Sequence, residues 1–160
     1  MLPSQGREAS SILVPRSMNS TTNAHYDFFI SGKWRNRDAV LDLTKKIREK
    51  GYSVYCFLES IHSQNRANND PEEEMARFEK LDWRNDDSIR EMFEADMDAE
   101  KNSDTFALLL PAGKSCHIEA GVAYGMGKKC ILIGEQKEAE SLYLILSEVY
   151  ETTEEFLKTL

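Results

Sequence analysis

The sequence predicts a single α/β domain in which about five parallel strands form a doubly wound sheet of the Rossmann or flavodoxin type. Short apolar runs alternate with segments of helical periodicity along most of the chain. The length of 160 residues suits one domain. The hydrophobic fraction of 41% supplies enough apolar material for a core.

The first structured segment predicts a strand, a helix and a second strand. The aromatic run YDFFIS at residues 26–31 predicts the first strand. Val40, Leu43 and Ile47 recur at helical spacing in a helix predicted for residues 38–50, which Gly51 ends. The run YSVYCFL at residues 52–58 predicts the second strand, so the unit implies parallel pairing.

A long polar segment separates this unit from the third strand. Residues 62–84 are rich in Asn, Asp and charged side chains, with a short helix predicted for residues 71–80, and loops of this length often carry function. Asp86 or Asp87 caps a helix that runs to about residue 102. The apolar run TFALLLP at residues 105–111 predicts a central parallel strand. The inner face of the preceding helix is predicted to carry Ile89, Met92, Phe93 and Met97.

The last third of the chain continues the alternation. A helix is predicted for residues 115–126, which Gly127 closes, and a strand follows at residues 130–134. We expect a further helix at residues 137–146 and a short strand at residues 148–151. Thr152 or Thr153 then caps a terminal helix.

Composition indicates the cellular compartment and argues against some classes of binding partner. The net charge of −8 and the lack of a long basic stretch argue against a nucleic acid polymer as partner. Cys56 and Cys130 lie in apolar runs and indicate reduced core thiols, hence a cytoplasmic protein. No apolar run reaches membrane-spanning length, so no membrane contact is expected. Residues 1–23 predict a flexible tail before a domain at residues 24–160, and the three histidines show no metal spacing.

The loop PAGKSCHIE after the third strand is the most informative candidate site, because ligands of such sheets bind beyond the carboxyl ends of the strands. Gly113 allows close backbone approach, Lys114 supplies positive charge and Ser115 is a suitable N-cap. Glu119 falls near the first helical turn, where the helix dipole favours its ionised form. It is either a nucleophile or base, or a carboxylate that only offsets the dipole.

The adjacent pair Cys116 and His117 offers a thiol nucleophile with a base. Adjacent helical residues point away from each other, so the pair is not expected to form the hydrogen bond that this chemistry needs. Trp34 fits a ligand-stacking role and a core role equally well.

The stretch LLLPAGKSCHIEAGVAYGMGKK resembles the signature of the nucleoside 2-deoxyribosyltransferase-like proteins. That signature joins an apolar strand and a Gly/Ser loop to a helix that opens with Glu and ends in Gly-Lys. The similarity extends from Tyr26 to Leu160. ISGKW is similar to the first-strand turn, and EADMDAEKNSD to the helix with a second acidic residue, which falls on Asp96. The matched signature positions are Glu119, Gly121, Ala123, Gly127 and Lys128.

The resemblance implies cleavage or transfer at the N-glycosidic bond of a (deoxy)nucleoside or nucleoside 5′-monophosphate, without a cofactor or metal. It implies that Glu119 attacks the anomeric carbon to form a glycosyl-enzyme, while Asp96 manages the proton on the leaving base or orients the sugar. A homodimer or higher homo-oligomer is also implied. The implied substrate-binding residues are Gly113, Lys114 and Ser115 at a 5′-phosphate or hydroxyl, Trp34 on the base, and Ser31, Gly32 and His117.

The chain departs from this family in its first strand. Many members carry a tyrosine near the position of Phe29 whose hydroxyl positions the catalytic group, and Tyr26 is not an obvious replacement. The opening YDFFISGKWRNRDAVLDLTKKIREKGYSVY also resembles TIR-like domains, some of which use a glutamate to cleave NAD. A non-catalytic nucleotide-sensing domain is the third alternative.

Overall fold

A computed structural model of the chain describes residues 24–60, 63 and 69–160. The predicted tail at residues 1–23 lies outside this range. The strands are β1 Tyr26–Ser31, β2 Val54–Cys56, β3 Ser103–Leu109, β4 Lys129–Ile133 and β5 Glu148–Tyr150. The α-helices are α1 Arg37–Glu49, α2 Pro71–Phe78, α3 Asp87–Lys101, α4 Lys114–Gly125 and α5 Thr153–Leu157, with 3-10 helices at Trp34–Asn36, Phe57–Glu59 and Ser141–Ile145. Among the described helices, none is long and apolar enough to cross a membrane.

In these residues the strands form one parallel sheet in the order β2-β1-β3-β4-β5, which confirms the predicted doubly wound α/β class. Phe29 of β1 lies beside Tyr55 of β2 and Phe106 of β3. The chain winds outward from β1 to β2 and then crosses to β3 on the other side. The switch point, where such folds bind ligands, therefore lies between the carboxyl ends of β1 and β3.

Apolar side chains cover both faces of the sheet, as a central parallel sheet requires. On one face, Phe28 and Ile30 pack with Val40 and Leu43 of α1 and with Phe156 of α5. The opposite face packs against α3 and α4. Its buried members include Phe29, Phe106, Leu108, Ala99, Ala120 and Ala123. Alternate residues of β1 therefore face different helix pairs, so Phe29 and Ser31 lie on the α3 and α4 side.

Local signals explain the helix ends. The side chain of Asp86 accepts hydrogen bonds from the backbone N–H groups of Ser88 and Ile89, so it is the N-cap of α3. Gly127 follows α4 with a φ of 74°, a conformation that favours glycine. The three longer predicted helices, α1, α3 and α4, begin and end within one residue of their predicted bounds.

Two predicted elements are wrong. The second strand comprises only Val54–Cys56 instead of residues 52–58, because the chain leaves β2 in a 3-10 helix that brings Phe57 beside Trp34. The helix predicted at residues 137–146 is reduced to a 3-10 helix at Ser141–Ile145. Leu142 and Leu144 are exposed there, so the segment has no continuous apolar face to bury.

The predicted inner face of α3 is also wrong in part. Phe93 is 62% exposed, and the fully buried residues of α3 are Ala99 and Glu100 at its C-terminal end. Only this end packs into the sheet. The first half of α3 instead directs Ile89, Met92 and Phe93 towards a cleft.

Candidate functional site

A cleft of about 1250 Å³ lies beyond the carboxyl ends of β1 and β3. The loop after β1, the loop before α4, and helices α2 and α3 line it. Its volume exceeds the roughly 300–1000 Å³ of common small-molecule pockets, so a nucleotide fits within it. The predicted site residues Asp96, Glu119, Gly32, Trp34, Gly113, Lys114, Ser115 and His117 all line this cleft, and Ser31 bonds to Glu119 beneath it.

Glu119 lies at the floor of the cleft, where β1 supplies its hydrogen-bond donor. The Ser31 hydroxyl, itself buried, donates to Oε2 of Glu119 at 2.5 Å. The pKa of Glu119 is raised to about 7, mainly by burial and to a lesser extent by the charge of Asp96, while the hydrogen bond from Ser31 lowers it. Glu119 therefore titrates near neutral pH, which is the range of a working acid or nucleophile.

The prediction that the helix dipole favours the ionised form of Glu119 is wrong. Gly113 is the N-cap of α4, so Ser115 is not the cap and Glu119 is the sixth helical residue. The helix dipole acts mainly on the first turn. Burial outweighs it here and favours the protonated form of Glu119.

Asp96 lies on α3, whereas Glu119 lies on α4, and a different hydroxyl group donates a hydrogen bond to Asp96. The hydroxyl of Tyr55 on β2 donates to Oδ1 of Asp96 at 2.7 Å. Because the charge of Asp96 acts on Glu119, the two carboxyls form an electrostatically coupled pair. Sequence reasoning missed Tyr55. The signal available was strand alternation, since Val54 and Cys56 face α1 and Tyr55 must face α3.

The loop before α4 brings positive charge to one end of the cleft. Lys114 and Ser115 are exposed at the start of α4. The side chain of Lys33 crosses Gly113, with Cγ and Cε 3.6 Å from where a Cβ on Gly113 would lie. Arg35 also lines the cleft and forms an ion pair with Glu72 of α2. The sequence analysis overlooked Lys33 and Arg35, which lie within four residues of Ser31.

His117 is held by contacts within the protein. Its Nδ1 lies 2.6 Å from the carbonyl oxygen of Gly113, and because a carbonyl only accepts, Nδ1 carries the hydrogen. The other ring nitrogen, Nε2, lies 3.0 Å from the hydroxyl of Tyr143. Both ring nitrogens are therefore engaged, and His117 contributes the side of its ring to the cleft.

Trp34 lies between the core and the cleft. Its ring is half-buried, contacts Phe57 at a centroid distance of 6.5 Å and packs on the α1 side of the sheet. Its Nε1 is buried without a hydrogen-bond partner among the described residues. Trp34 therefore packs against the core and also lines the cleft, and its ligand-stacking role stays a prediction.

The outer wall of the cleft is apolar. Helices α2 and α3 present Met75, Phe78, Ile89, Met92 and Phe93 to it. Phe78 and Phe93 are 39% and 62% exposed, which is unusual for phenylalanine outside a binding surface. The cleft thus has a cationic end, a carboxylate floor and an aromatic wall. Among the described residues, no group of His, Cys, Asp and Glu side chains is placed to hold a metal ion.

Glu100 lies behind the carboxyl pair, one helical turn after Asp96. It is 1% exposed, and neither carboxylate oxygen has a hydrogen-bond partner among the described residues. Its pKa is raised to about 7, mainly by burial and also by the charges of Glu119 and Asp96. Glu100 does not line the cleft, so it acts on the site only through its charge.

Comparison with solved structures supports this architecture. The Clostridium botulinum CMP N-glycosidase BcmB superposes on the chain with a TM-score of 0.52 at 22% sequence identity, covering 82% of this chain and 96% of that one. This likeness confirms the fold that the resemblance to nucleoside 2-deoxyribosyltransferase-like proteins implied. No family profile and no curated protein sequence matches the chain.

Proposed function

We propose that the protein cleaves the N-glycosidic bond of a nucleoside 5′-monophosphate, with Glu119 as nucleophile and Asp96 as its partner. The observation that carries this proposal is the coupled pair of carboxyls at the floor of the cleft, each held by a hydroxyl from a different strand. The shared fold with a CMP N-glycosidase is consistent with it. We include the protein among the nucleoside 2-deoxyribosyltransferase-like enzymes as part of the same proposal.

The chemistry follows from the different surroundings of the two carboxyls. Ser31 holds Oε2 of Glu119, so Oε1 is the attacking oxygen. Its bond to C1′ forms as the C1′–N bond breaks, and the base departs with the bonding electrons and takes a proton from water. Asp96 orients the sugar and stabilises the positive charge that develops on it. Water, or a second base in a transfer reaction, then attacks C1′ and loses a proton to the hydroxide left by the first step, while the C1′–Oε1 bond breaks and frees Glu119.

The two ends of the cleft suit the two ends of a nucleotide. Lys33 and Lys114 flank Gly113 at the start of α4, where a phosphate also meets backbone N–H groups and the positive end of the helix. Ser115 adds a hydroxyl donor. The base lies against the aromatic wall, with Trp34 as one stacking surface. Gly32 lets the end of β1 lie close to α1, because a Cβ there would lie 2.6 Å from Cγ2 of Val40.

A substrate panel tests the proposal. The purified chain is incubated with each nucleoside 5′-monophosphate, the matching nucleosides and NAD, and released base is measured by chromatography. We expect base release from one or more 5′-monophosphates, slower release from the matching nucleoside, and loss of about 1000-fold or more in Glu119→Gln. Glu94→Gln, an exposed carboxyl on α3, is the matched control and retains the wild-type rate.

Three other results would redirect the proposal. Release of nicotinamide from NAD alone would favour the TIR-like alternative. Tight nucleotide binding without base release would favour the sensing domain. Equal turnover by wild type and Glu119→Gln would remove Glu119 from the chemistry.

A further inference from the structure

Aromatic contacts on the sheet hold the ring of Tyr55 in place. Its ring stacks on Phe29 with centroids 5.1 Å apart and an interplanar angle of 20°. Phe29 in turn stacks on Phe106 at 5.7 Å, so three rings form a row across β2, β1 and β3. The ring of Tyr26 contacts the ring of Tyr55 edge-on, with centroids 5.5 Å apart. The sheet itself therefore fixes the position of the Tyr55 hydroxyl.

This hydroxyl is a permanent donor. Burial raises the pKa of Tyr55 far above its ordinary value, and the neighbouring Asp96 raises it further, so the phenol does not ionise at physiological pH. An ionised carboxylate can only accept a hydrogen bond. The 2.7 Å bond consequently holds Oδ1 of Asp96 as an acceptor and fixes the plane of its carboxylate.

The hydroxyl of Tyr55 adds a contact from the sheet to a carboxyl that lies on the less buried part of α3. The fully buried residues of α3 lie at its C-terminal end, and the residues before Asp96 are half-buried or exposed around the cleft. A carboxylate on this segment has several rotamers, and a displacement of about 1 Å at a reacting centre costs roughly 100-fold in rate. The bond from the rigid sheet selects one rotamer.

We propose that Tyr55 is a positioning residue, which holds the carboxyl of Asp96 in one orientation, directed at the sugar. The inference rests on the proposed function. Tyr55 acts through Asp96 and touches no substrate atom. Its role differs from that of Ser31, which binds the other carboxyl of the pair.

The test is a double-mutant cycle with Tyr55→Phe, Asp96→Asn and the double variant. Tyr55→Phe keeps the stacked ring and removes only the hydroxyl. We expect its kcat to fall about 10- to 100-fold, the range for a lost hydrogen bond to a charged group, while KM changes less than about threefold. In the Asp96→Asn background the same substitution should change kcat less than about twofold. Tyr52→Phe, a tyrosine on the other face of the sheet, is the matched control and retains the wild-type kcat.

Unfolding by denaturant measures the coupling of Tyr55 and Asp96 in the same four proteins without turnover. A merely structural tyrosine would lower stability, and its effect on kcat would multiply with that of Asp96→Asn. The inference would be overturned if the two substitutions had multiplying effects on kcat, if Tyr55→Phe kept the wild-type kcat, or if their changes in unfolding free energy were additive. Each of these results would leave the proposed function standing. Failure of the wild type to release base from any nucleotide would overturn both.

Discussion

Replacing the buried carboxyl of Glu100 should change the pH dependence of stability. Glu100 is 1% exposed and its pKa is raised from 4.5 to about 7 by burial and by the charges of Glu119 and Asp96. Between these two pH values the native state binds more protons at this position than the unfolded chain does. The free energy of unfolding therefore falls as pH rises from about 4.5 through 7.

The size of this loss follows from the pKa shift. Each unit of difference corresponds to about 1.4 kcal/mol, so ionising Glu100 in the folded state costs about 3 kcal/mol above pH 7. That is a large share of the roughly 5–15 kcal/mol that stabilises a typical domain. In a chain of this size it corresponds to roughly 6–12 °C in Tm.

Glu100→Gln removes the titration and keeps the shape. We expect the unfolding free energy of the variant to exceed that of the wild type by up to about 3 kcal/mol at pH 8, with most of the difference gone at pH 5. Urea unfolding at pH 5, 6, 7 and 8, followed by circular dichroism, measures this slope. The unpaired amide of the variant lowers stability equally at every pH, so the slope is the decisive quantity.

A matched control separates the effect of burial on the pH slope from the effect of simply removing a carboxyl. Glu94→Gln removes an exposed carboxyl from the same helix and should leave the slope unchanged. If Glu100→Gln shows the same pH slope as the wild type, Glu100 is not buried and unpaired as described. The account of the charges behind the site would then be refuted.

Two further predictions concern the site and the packing beneath it. The kcat/KM should fall about tenfold per pH unit below about 7, because a protonated Glu119 cannot attack. Initial rates measured from pH 5 to 9 check this prediction, and a flat pH profile would contradict it. Gly32→Ala should lower the unfolding free energy by about 1–3 kcal/mol, because its Cβ would lie 2.6 Å from Cγ2 of Val40. Gly121→Ala is its control: nothing lies within 4 Å of that Cβ in mid-helix, so we expect stabilisation of about 0.5–1 kcal/mol by denaturant unfolding.

The fold was accessible to sequence reasoning because its signals are local. Apolar runs mark the long central strands, and Asp86 and Gly127 mark helix ends within their own neighbourhood. The helix predicted at residues 137–146 is wrong because a sequence that favours a helix does not by itself decide whether the segment is buried. Leu142 and Leu144 have no facing element, so the apolar pattern has nothing to pack on.

The common location of the predicted site residues could be inferred from the sequence, whereas their electrostatics could not. The loop before α4 pointed to Glu119, and all nine predicted residues lie in or directly beneath one cleft. The dipole argument gave the wrong direction for its pKa, since burial depends on packing that a linear sequence does not reveal. Tyr55 was missed for a related reason. The family resemblance points to β1 for a positioning hydroxyl, whereas the sheet register places Tyr55 of β2 beside Phe29.

The central claim is that Glu119 becomes covalently bonded to the sugar. Wild-type protein is mixed with the best substrate of the panel, quenched in acid within milliseconds, digested and analysed by mass spectrometry. We predict that the peptide containing Glu119 gains the mass of the sugar phosphate, and that Glu119→Gln shows no such species. Rapid base release with every peptide unmodified, and with activity retained in Glu119→Gln, would contradict the account.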